Sequence, residues 1–547
     1  MARAGTGNDR VMPSETADAV VIGAGPNGLV AACTLADAGW DVVVLEANDT
    51  VGGAVRSEHR VDGYVHDMYS SFYPLAAASP VLGALDLGAH GLTWAHAPAV
   101  VAHLLDPDAE RAAVLHRDVV DTAALLESDH KGDGDAWIRL FEHWQRVRDP
   151  LLDALFSPFP PVKAGAKLFG RLGVHDTLWT LRMFALPVHR LCQELFKGRM
   201  GPALITGNAL HADVPATAAV SGVFGWLLVM LGQDVGFPVP QGGAGMLAEA
   251  LASRARAAGA QIHTGARVDR VVVGNGRALG VVTQDGRAVR ARRAVLADVP
   301  APTLLGGLVR PDDLPAGVLD AMKRFQWDLP TVKVNWALDG PIPWKARGAE
   351  LAGTVHLGSD ADGLALSSNF LSLGRAAPHD FLLVGQMAVA DPTRAPSGGE
   401  SVWSYSHLPR GVTDAASAKA LAERMGTAIE AHAPGFKDRS IESWVQLPGD
   451  IESDDPSLVG GTINGGTAQL HQQLVFRPLP GLGRAEMPVD GLYLAGSSAH
   501  PGGGVHGAAG HIAAQAALNG AKFGRIPGRA LTRATRALEK RPRRPVP

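Results

Sequence analysis

Residues Ala19–Glu46 read AVVIGAGPNGLVAACTLADAGWDVVVLE, and the order strand, glycine turn, helix, strand, acid leaves few folds open. Gly23, Gly25 and Gly28 form G-x-G-x-x-G directly after the apolar run Ala19–Ile22. In this motif the first glycine permits a tight turn and the second lets a pyrophosphate approach the backbone. The third lets helix and strand pack closely. Pro26 and Asn27 lie between the second and third glycines and share the cradle. The helix that follows offers free N–H groups and a positive dipole end to phosphates. Glu46 stands 18 positions past Gly28, closes the run Val42–Leu45, and can accept hydrogen bonds from ribose hydroxyls, with Ala47 beside it. A lone glycine motif is weak, but two strands, a helix and an acid in register define a dinucleotide site.

A second glycine turn follows at once in TVGGAVRS, residues 50–57. Gly52, Gly53 and Ala54 give another place where backbone can touch phosphate without an intervening side chain. The far end of the chain supplies a matching piece, GLYLAGSSAHPGGGVHGAAGH at 491–511. There Leu492–Ala495 is a short strand ended by Gly496, and the glycines up to Gly507 open an alanine-rich helix. Gly503, Gly504, Val505 and His506 lie in that loop. Two anion-cradling turns about 470 residues apart imply that the chain ends meet around one cofactor.

These three segments together resemble the phytoene desaturase, carotenoid isomerase and retinol saturase superfamily of FAD-dependent oxidoreductases. Within it they are most similar to the pyridine nucleotide-disulfide oxidoreductase domain-containing protein 2 branch. The resemblance is strongest at residues 18–73, 236–300 and 485–520. It implies an α/β fold: a Rossmann-type, amine-oxidase-like FAD-binding domain interleaved with an α+β substrate domain. It also implies that the strand near Val268 runs along the adenine. Carotenoid desaturases typically carry Thr-His-Pro-Gly in the last loop, whereas this chain has Ala499-His500-Pro501-Gly502. Despite the branch name there is no C-x-x-C; Cys33 and Cys192 are the only cysteines.

The intervening sequence fits that plan. Residues 238–252, PVPQGGAGMLAEALA, read as a glycine turn opening a helix. Strands are expected at Gln261–Thr264, Arg267–Val273, Leu279–Thr283, Ala288–Arg292 and Ala294–Ala297, with Asn275-Gly276 and Asp285-Gly286 as hairpin turns. The domain reading is therefore 18–105, 236–302 and 485–524 for the FAD domain, and 106–235 and 303–484 for the substrate domain. Residues 1–17 read as a disordered N-terminus and 525–547 as a basic tail with seven Arg and one Lys against one Glu.

At 547 residues the chain exceeds a single hydrophobic core. Charged residues are 19% and hydrophobic ones 46%, enough for a core and an apolar substrate channel. The net charge of −4 gives the bulk of the protein no call to bind nucleic acid. The polar N-terminus lacks an apolar signal region, which points to the cytosol. The uncharged run Val214–Gln233 contains Pro215 and several glycines, so it reads as a buried or channel-lining helix rather than a membrane span. A peripheral membrane contact stays open, and the basic tail is compatible with one. Trp327, Trp336, Trp344, Trp403, Tyr405 and Trp444 are candidates for an aromatic-lined pocket.

The function these features imply is hydride transfer between a hydrophobic C–C or C=C bond and the flavin. Oxygen or a quinone-like compound would be the electron acceptor, since no second dinucleotide motif is present. Alternatives are an amine oxidase of the same fold and a non-catalytic prenyl- or lipid-binding escort protein. His506 is the candidate proton-transfer group, with a loop-bracing hydrogen bond as the competing role. No metal site is expected, because His500, His506 and His511 have no supporting Cys or carboxylates nearby.

Overall fold

One seven-stranded sheet takes its strands from three distant stretches of the chain, and its order explains how the two glycine turns meet. The computed structural model describes residues 15–523. In it β1 (Glu15–Ile22) lies between β2 (Val42–Leu45) and the strand Ala288–Ala297, parallel to both. Gln261–His263 extends the sheet beyond β2, and Leu492–Leu494 joins Ala288–Ala297 in parallel. The hairpin strands Val268–Gly274 and Arg277–Thr283 complete it. Ala288–Ala297 changes partner along its length. Its residues 288–290 pair antiparallel with the hairpin, and 295–297 pair parallel with Leu492–Leu494. The strands expected at 288–292 and 294–297 are thus one continuous strand. Asn275 and Gly276 both adopt positive φ, 52° and 76°, as a primed hairpin turn requires.

Alternation along β1 builds both faces of this sheet. Ala19 and Val21 join a core with α1 (Pro26–Asp37) and the helices Gly245–Ala257 and Ala508–Phe523. Val20 and Ile22 face the opposite core, with Leu305, Val318 and Leu492. A parallel sheet covered on both sides needs such unbroken apolar strands.

The second seven-stranded sheet runs Ser440–Gln446, Thr331–Leu338, Glu400–His407, Leu382–Gln386, Ala352–Leu357, Ala99–Leu104, Ala113–Leu115. Helix Ala415–His432 covers one face. The other carries a helical layer that includes Asp133–Leu155, Met200–His211 and Ser221–Asp234.

Three sequence expectations need correction. Residues 15–17 are not part of a disordered end: they begin β1, and Ala17 is fully buried opposite Ala291. Ala99–Leu104 belongs to the second sheet, not to the FAD domain, because it pairs with Ala352–Leu357. Val214–Gln233 is not one helix: Val220, at φ 72°, precedes a helix that starts only at Ser221. No helix among the described residues is long and apolar enough to cross a membrane. The tail 525–547 lies outside the described residues.

Candidate active site

The sheet order places both glycine turns side by side. β1 ends at Ile22 opposite Ala297, and Ala297 is opposite Leu494. Each outer strand then runs into its glycine turn, so the turns flank the residue that follows Ala297, which is Asp298. Its Oδ2 accepts the Gly28 N–H at 2.7 Å. A Cβ on Gly25 would lie 2.8 Å from Asp298 Oδ2, and one on Gly496 would lie 2.9 Å from Oδ1.

A cavity of about 490 Å³ opens from these turns. Gly23, Gly25, Pro26, Asn27, Glu46, Ala47, Gly53, Ala54, Val268, Gly503, Gly504, Val505 and His506 all line it. Three of the sequence-predicted residues do not. Gly28 is spent on packing, since a Cβ there would meet the Gly23 carbonyl oxygen at 2.2 Å. Gly52 donates its N–H to Ala24 O at 2.9 Å, locking the second turn to the first. Gly496 makes room for the Asp298 carboxylate.

This cradle fits FAD. Missing side chains open the backbone, and α1 points its N-terminus into the space. The Asn27 Oδ1 there is buried without a hydrogen-bond partner. Glu46 is held by the Ala24 N–H at 2.7 Å and the Asn48 N–H at 2.8 Å. Burial raises its carboxyl above the ordinary value, against the lowering effect of those two bonds.

Beyond the cradle the cavity extends between the second sheet and the helical layer. Phe72, Leu75, Phe224, Leu227, Leu228 and Phe237 form its apolar wall, with Trp403 and Tyr405 from strand Glu400–His407. Trp403 and Tyr405 stack at 5.9 Å between ring centroids, 21° from parallel. The other aromatics expected here sit elsewhere. Trp336 is in the core under helix Ala415–His432. Trp344 donates to Gln386 Oε1, Trp444 packs on His66, and Trp327 on Phe325.

His506 is buried, and its Nδ1 accepts the Ala508 N–H at 3.0 Å, at the start of the last helix. Burial pushes its pKa down to about 4. The expectation that His506 moves protons near neutrality is therefore corrected: it braces the loop as a neutral ring.

The group that sequence reasoning missed is Lys333. Strand Thr331–Leu338 reads TVKVNWAL and is buried throughout. Val332, Val334, Trp336 and Leu338 fill the core under helix Ala415–His432. By the two-residue period of a strand, Lys333 faces the other way, and it lines the cavity. Its Nζ donates to Asp67 O at 2.7 Å, Asn335 Oδ1 at 2.5 Å and Gln446 Oε1 at 3.3 Å. Burial pulls its pKa down to about 7. A polar residue at an inward position of a strand this apolar was the available signal. Arg477, also unforeseen, is wholly buried and ties the cavity loops together. It donates to Ser497 O at 2.7 Å, Asn464 O at 2.9 Å and Thr467 O at 3.0 Å.

The chain belongs to the flavin-containing amine oxidoreductase family, whose model matches residues 27–405. It is 31% identical to pyridine nucleotide-disulfide oxidoreductase domain-containing protein 2 of Rattus norvegicus, over 91% of this chain and 92% of that protein. It is 25% identical to a neurosporene-forming phytoene desaturase of Rhodobacter capsulatus, over 89% of this chain and 91% of that one. A solved structure of a putrescine oxidase variant shares the fold, with a TM-score of 0.59 at 16% identity, covering 93% of this chain and 99% of that one. The protein is thus a flavin-dependent oxidoreductase of Rossmann-type architecture, with FAD as its cofactor.

Proposed function

We propose that this protein oxidises a neutral, hydrophobic substrate at a C–H bond, forming a C=C bond. The observation that carries this is the charge distribution of the cavity. The carboxylates that line it, Glu46, Asp298 and Asp455, cluster at the cofactor cradle: Asp455 Oδ2 lies near Gly53, and Asp298 against Gly25. The chamber beyond is walled by aliphatic and aromatic side chains, with Lys333 among them. A substrate carrying a protonated amine would enter that chamber with no carboxylate to meet it.

Bound FAD supplies the hydride acceptor, which no side chain here can be. The chain supplies the rest. Phe72, Phe224, Leu227, Leu228 and Phe237 bind the substrate and exclude water. Lys333 Nζ, as a free amine near neutral pH, keeps two donations, to Asp67 O and Asn335 Oδ1, gives up the long one to Gln446, and takes the proton lost from the neighbouring carbon on its lone pair. Hydride and proton together account for the two hydrogens removed. The electron acceptor for the turnover would be oxygen or a quinone-like compound.

Delivery of such a substrate favours a peripheral contact with a bilayer. The helical segment Val162–Ala185, broken at Gly173 (φ 69°), exposes Phe169, Val174, Leu178 and Leu181, with Lys163 and Lys167 on its first turns. It packs through Phe184 on Trp226 of helix Ser221–Asp234, the helix whose Phe224 and Leu227 wall the chamber.

The test is anaerobic titration of the flavin-loaded protein with two panels, neutral isoprenoid lipids in detergent and primary or polyamines. Bleaching of the visible flavin band by the first panel alone is the expected result. Bleaching by amines with peroxide release in air would replace this reading with an amine oxidase. A protein that takes up no FAD would point instead to the escort-type alternative.

A further inference from the structure

We infer that Asp298 couples FAD binding to proton uptake, so that the affinity of this protein for its cofactor falls as pH rises. The inference rests on FAD lying across the two glycine turns.

The geometry is specific. Asp298 follows the central strand Ala288–Ala297, its N–H bonded to Ile22 O at 2.8 Å. Its carboxylate sits at the N-terminus of α1, where it caps the Gly28 N–H at 2.7 Å. That helix end is also where a pyrophosphate would be held. The Cβ atoms that Gly23, Gly25 and Gly496 lack would each fall within 2.9 Å of an Asp298 atom. These glycines therefore make room for an aspartate as well as for a nucleotide. An anion already occupies the place to which the cofactor brings two more negative charges.

The surroundings do not neutralise it. Glu46 faces it from the end of β2 and Asp455 from the segment after helix Pro448–Asp454, and both add negative potential. The first turn of α1 and the turn at Gly496 bring hydrogen-bond donors but no charged side chain. Among the cations nearby, Arg56 is committed to Asp454 at 2.5 Å and to Gly53 O at 2.8 Å. Arg267 lies on the cavity wall at the adenine end, next to Val268. Asp298 is half-buried and lines the cavity that the cofactor would fill. Burial already raises its carboxyl to about 7, with Asp455 and Glu46 adding to the effect and the Gly28 bond opposing it. Bringing a pyrophosphate against this group favours its neutral form further. Above neutrality the free protein holds the carboxylate, so binding must draw in a proton. The protonated carboxyl keeps an acceptor oxygen for Gly28.

The experiment uses the flavin-stripped full chain. FAD affinity is followed by flavin fluorescence from pH 6 to 9. Calorimetry in two buffers of different ionisation enthalpy counts the protons taken up. For wild type the Kd is expected to rise up to about tenfold per pH unit above pH 7, the limit for one linked proton. Uptake should approach one proton near pH 8. Asp298→Asn, which keeps the oxygen acceptor and removes the charge, should bind FAD more tightly at pH 8 and lose most of the proton uptake. A wild-type Kd that is flat across this range overturns the inference without needing the variant. So does a D298N protein that keeps the full wild-type proton uptake, which would move the linkage to Glu46 or Asp455. Absence of FAD binding at every pH would overturn the cofactor assignment together with this inference, an outcome distinct from flat binding.

Discussion

Gly510 meets Asn27 at the point where the two ends of the chain close on each other: a Cβ on Gly510 would lie 1.9 Å from the Asn27 carbonyl oxygen. Asn27 is in the first turn of α1 and Gly510 in the first turn of the helix Ala508–Phe523. Their contact sets the C-terminal glycine loop against the N-terminal one. The listening partner here is backbone, which cannot rotate away. Gly510→Ala should therefore destabilise by at least the ~1–3 kcal/mol typical of overpacking. The same shift should open the cradle. Purified G510A is expected to carry substoichiometric FAD and a lower Tm than wild type. A variant with full flavin content and unchanged Tm would show that the two helices can separate freely.

Lys333 connects cavity chemistry to pH. Its ordinary pKa of 10.5 is brought down to about 7 by burial, so the free amine gains population as pH rises through neutrality. Flavin reduction by a bleaching substrate should therefore speed up across that range. Lys333→Met should remove this limb and slow reduction about 10²-fold or more, the usual contribution of a positioned base. Stopped-flow reduction rates against pH, in wild type and K333M with matched flavin content, make the check. A K333M profile that still rises through pH 7 would assign the proton to another group.

The dinucleotide cradle was legible because its requirements are local. G-x-G-x-x-G, the turn at Gly52-Gly53 and Glu46 each follow from backbone sterics or a strand end, and periodicity locates them. Asp298 was not legible. Its place depends on Ala288–Ala297 lying between β1 and Leu492–Leu494, a pairing between segments far apart in sequence. Lys333 escaped for the same reason. Trp403, Tyr405 and the channel-lining helix within Val214–Gln233 were legible as candidates from residue type, but which of the six aromatics face the cavity depends on how the sheet and the helices are set face to face. Residues 99–104 were misassigned because an apolar strand carries no mark of which sheet it will join. His506 was misjudged because a histidine in a glycine loop looks solvated, whereas this one is enclosed and caps a helix.

Acid should unfold this protein early. Burial holds His66, His103, His143, His211, His500 and His506 near 4, against an ordinary value of 6.5. Above pH 6.5 neither folded nor unfolded chain binds these protons, and nothing is lost. Between 6.5 and 4 the unfolded chain binds them and the folded one does not, so stability falls as pH falls. A fully buried ring such as His103 accounts for about 3 kcal/mol over that span. Asp298 and Glu400, raised to about 7, act in the opposite sense, as do Glu46, Asp328, Asp455 and His407, which are also raised; against them, burial also lowers His96, His116, His356, His432, His471 and His511. Tm is expected to drop steeply below pH 6, and His103→Gln should flatten the slope by about one proton. Thermal melts from pH 4.5 to 8 decide it; a Tm that rises on acidification would show that the carboxyls dominate.

The chamber wall offers a separation of substrate binding from cofactor binding. Leu227 lies on helix Ser221–Asp234 and lines the cavity together with Phe224 and Leu228. The glycine turns, Glu46 and Arg477 belong to other elements, so a larger side chain at 227 leaves the cradle intact. Leu227→Trp adds bulk to a chamber that has to hold a hydrophobic molecule beside the flavin. Flavin content and Tm should stay close to wild type, because residue 227 is only half-buried and lines the cavity at the edge of the core. Bleaching by long lipophilic substrates should weaken, read as a rise of tenfold or more in the concentration giving half-maximal reduction rate. Short substrates should suffer less, since they need less of the wall. If L227W reduced flavin content as well, the chamber and cradle would be one mechanical unit. If it slowed long and short substrates alike, the substrate would enter by a path that avoids this helix.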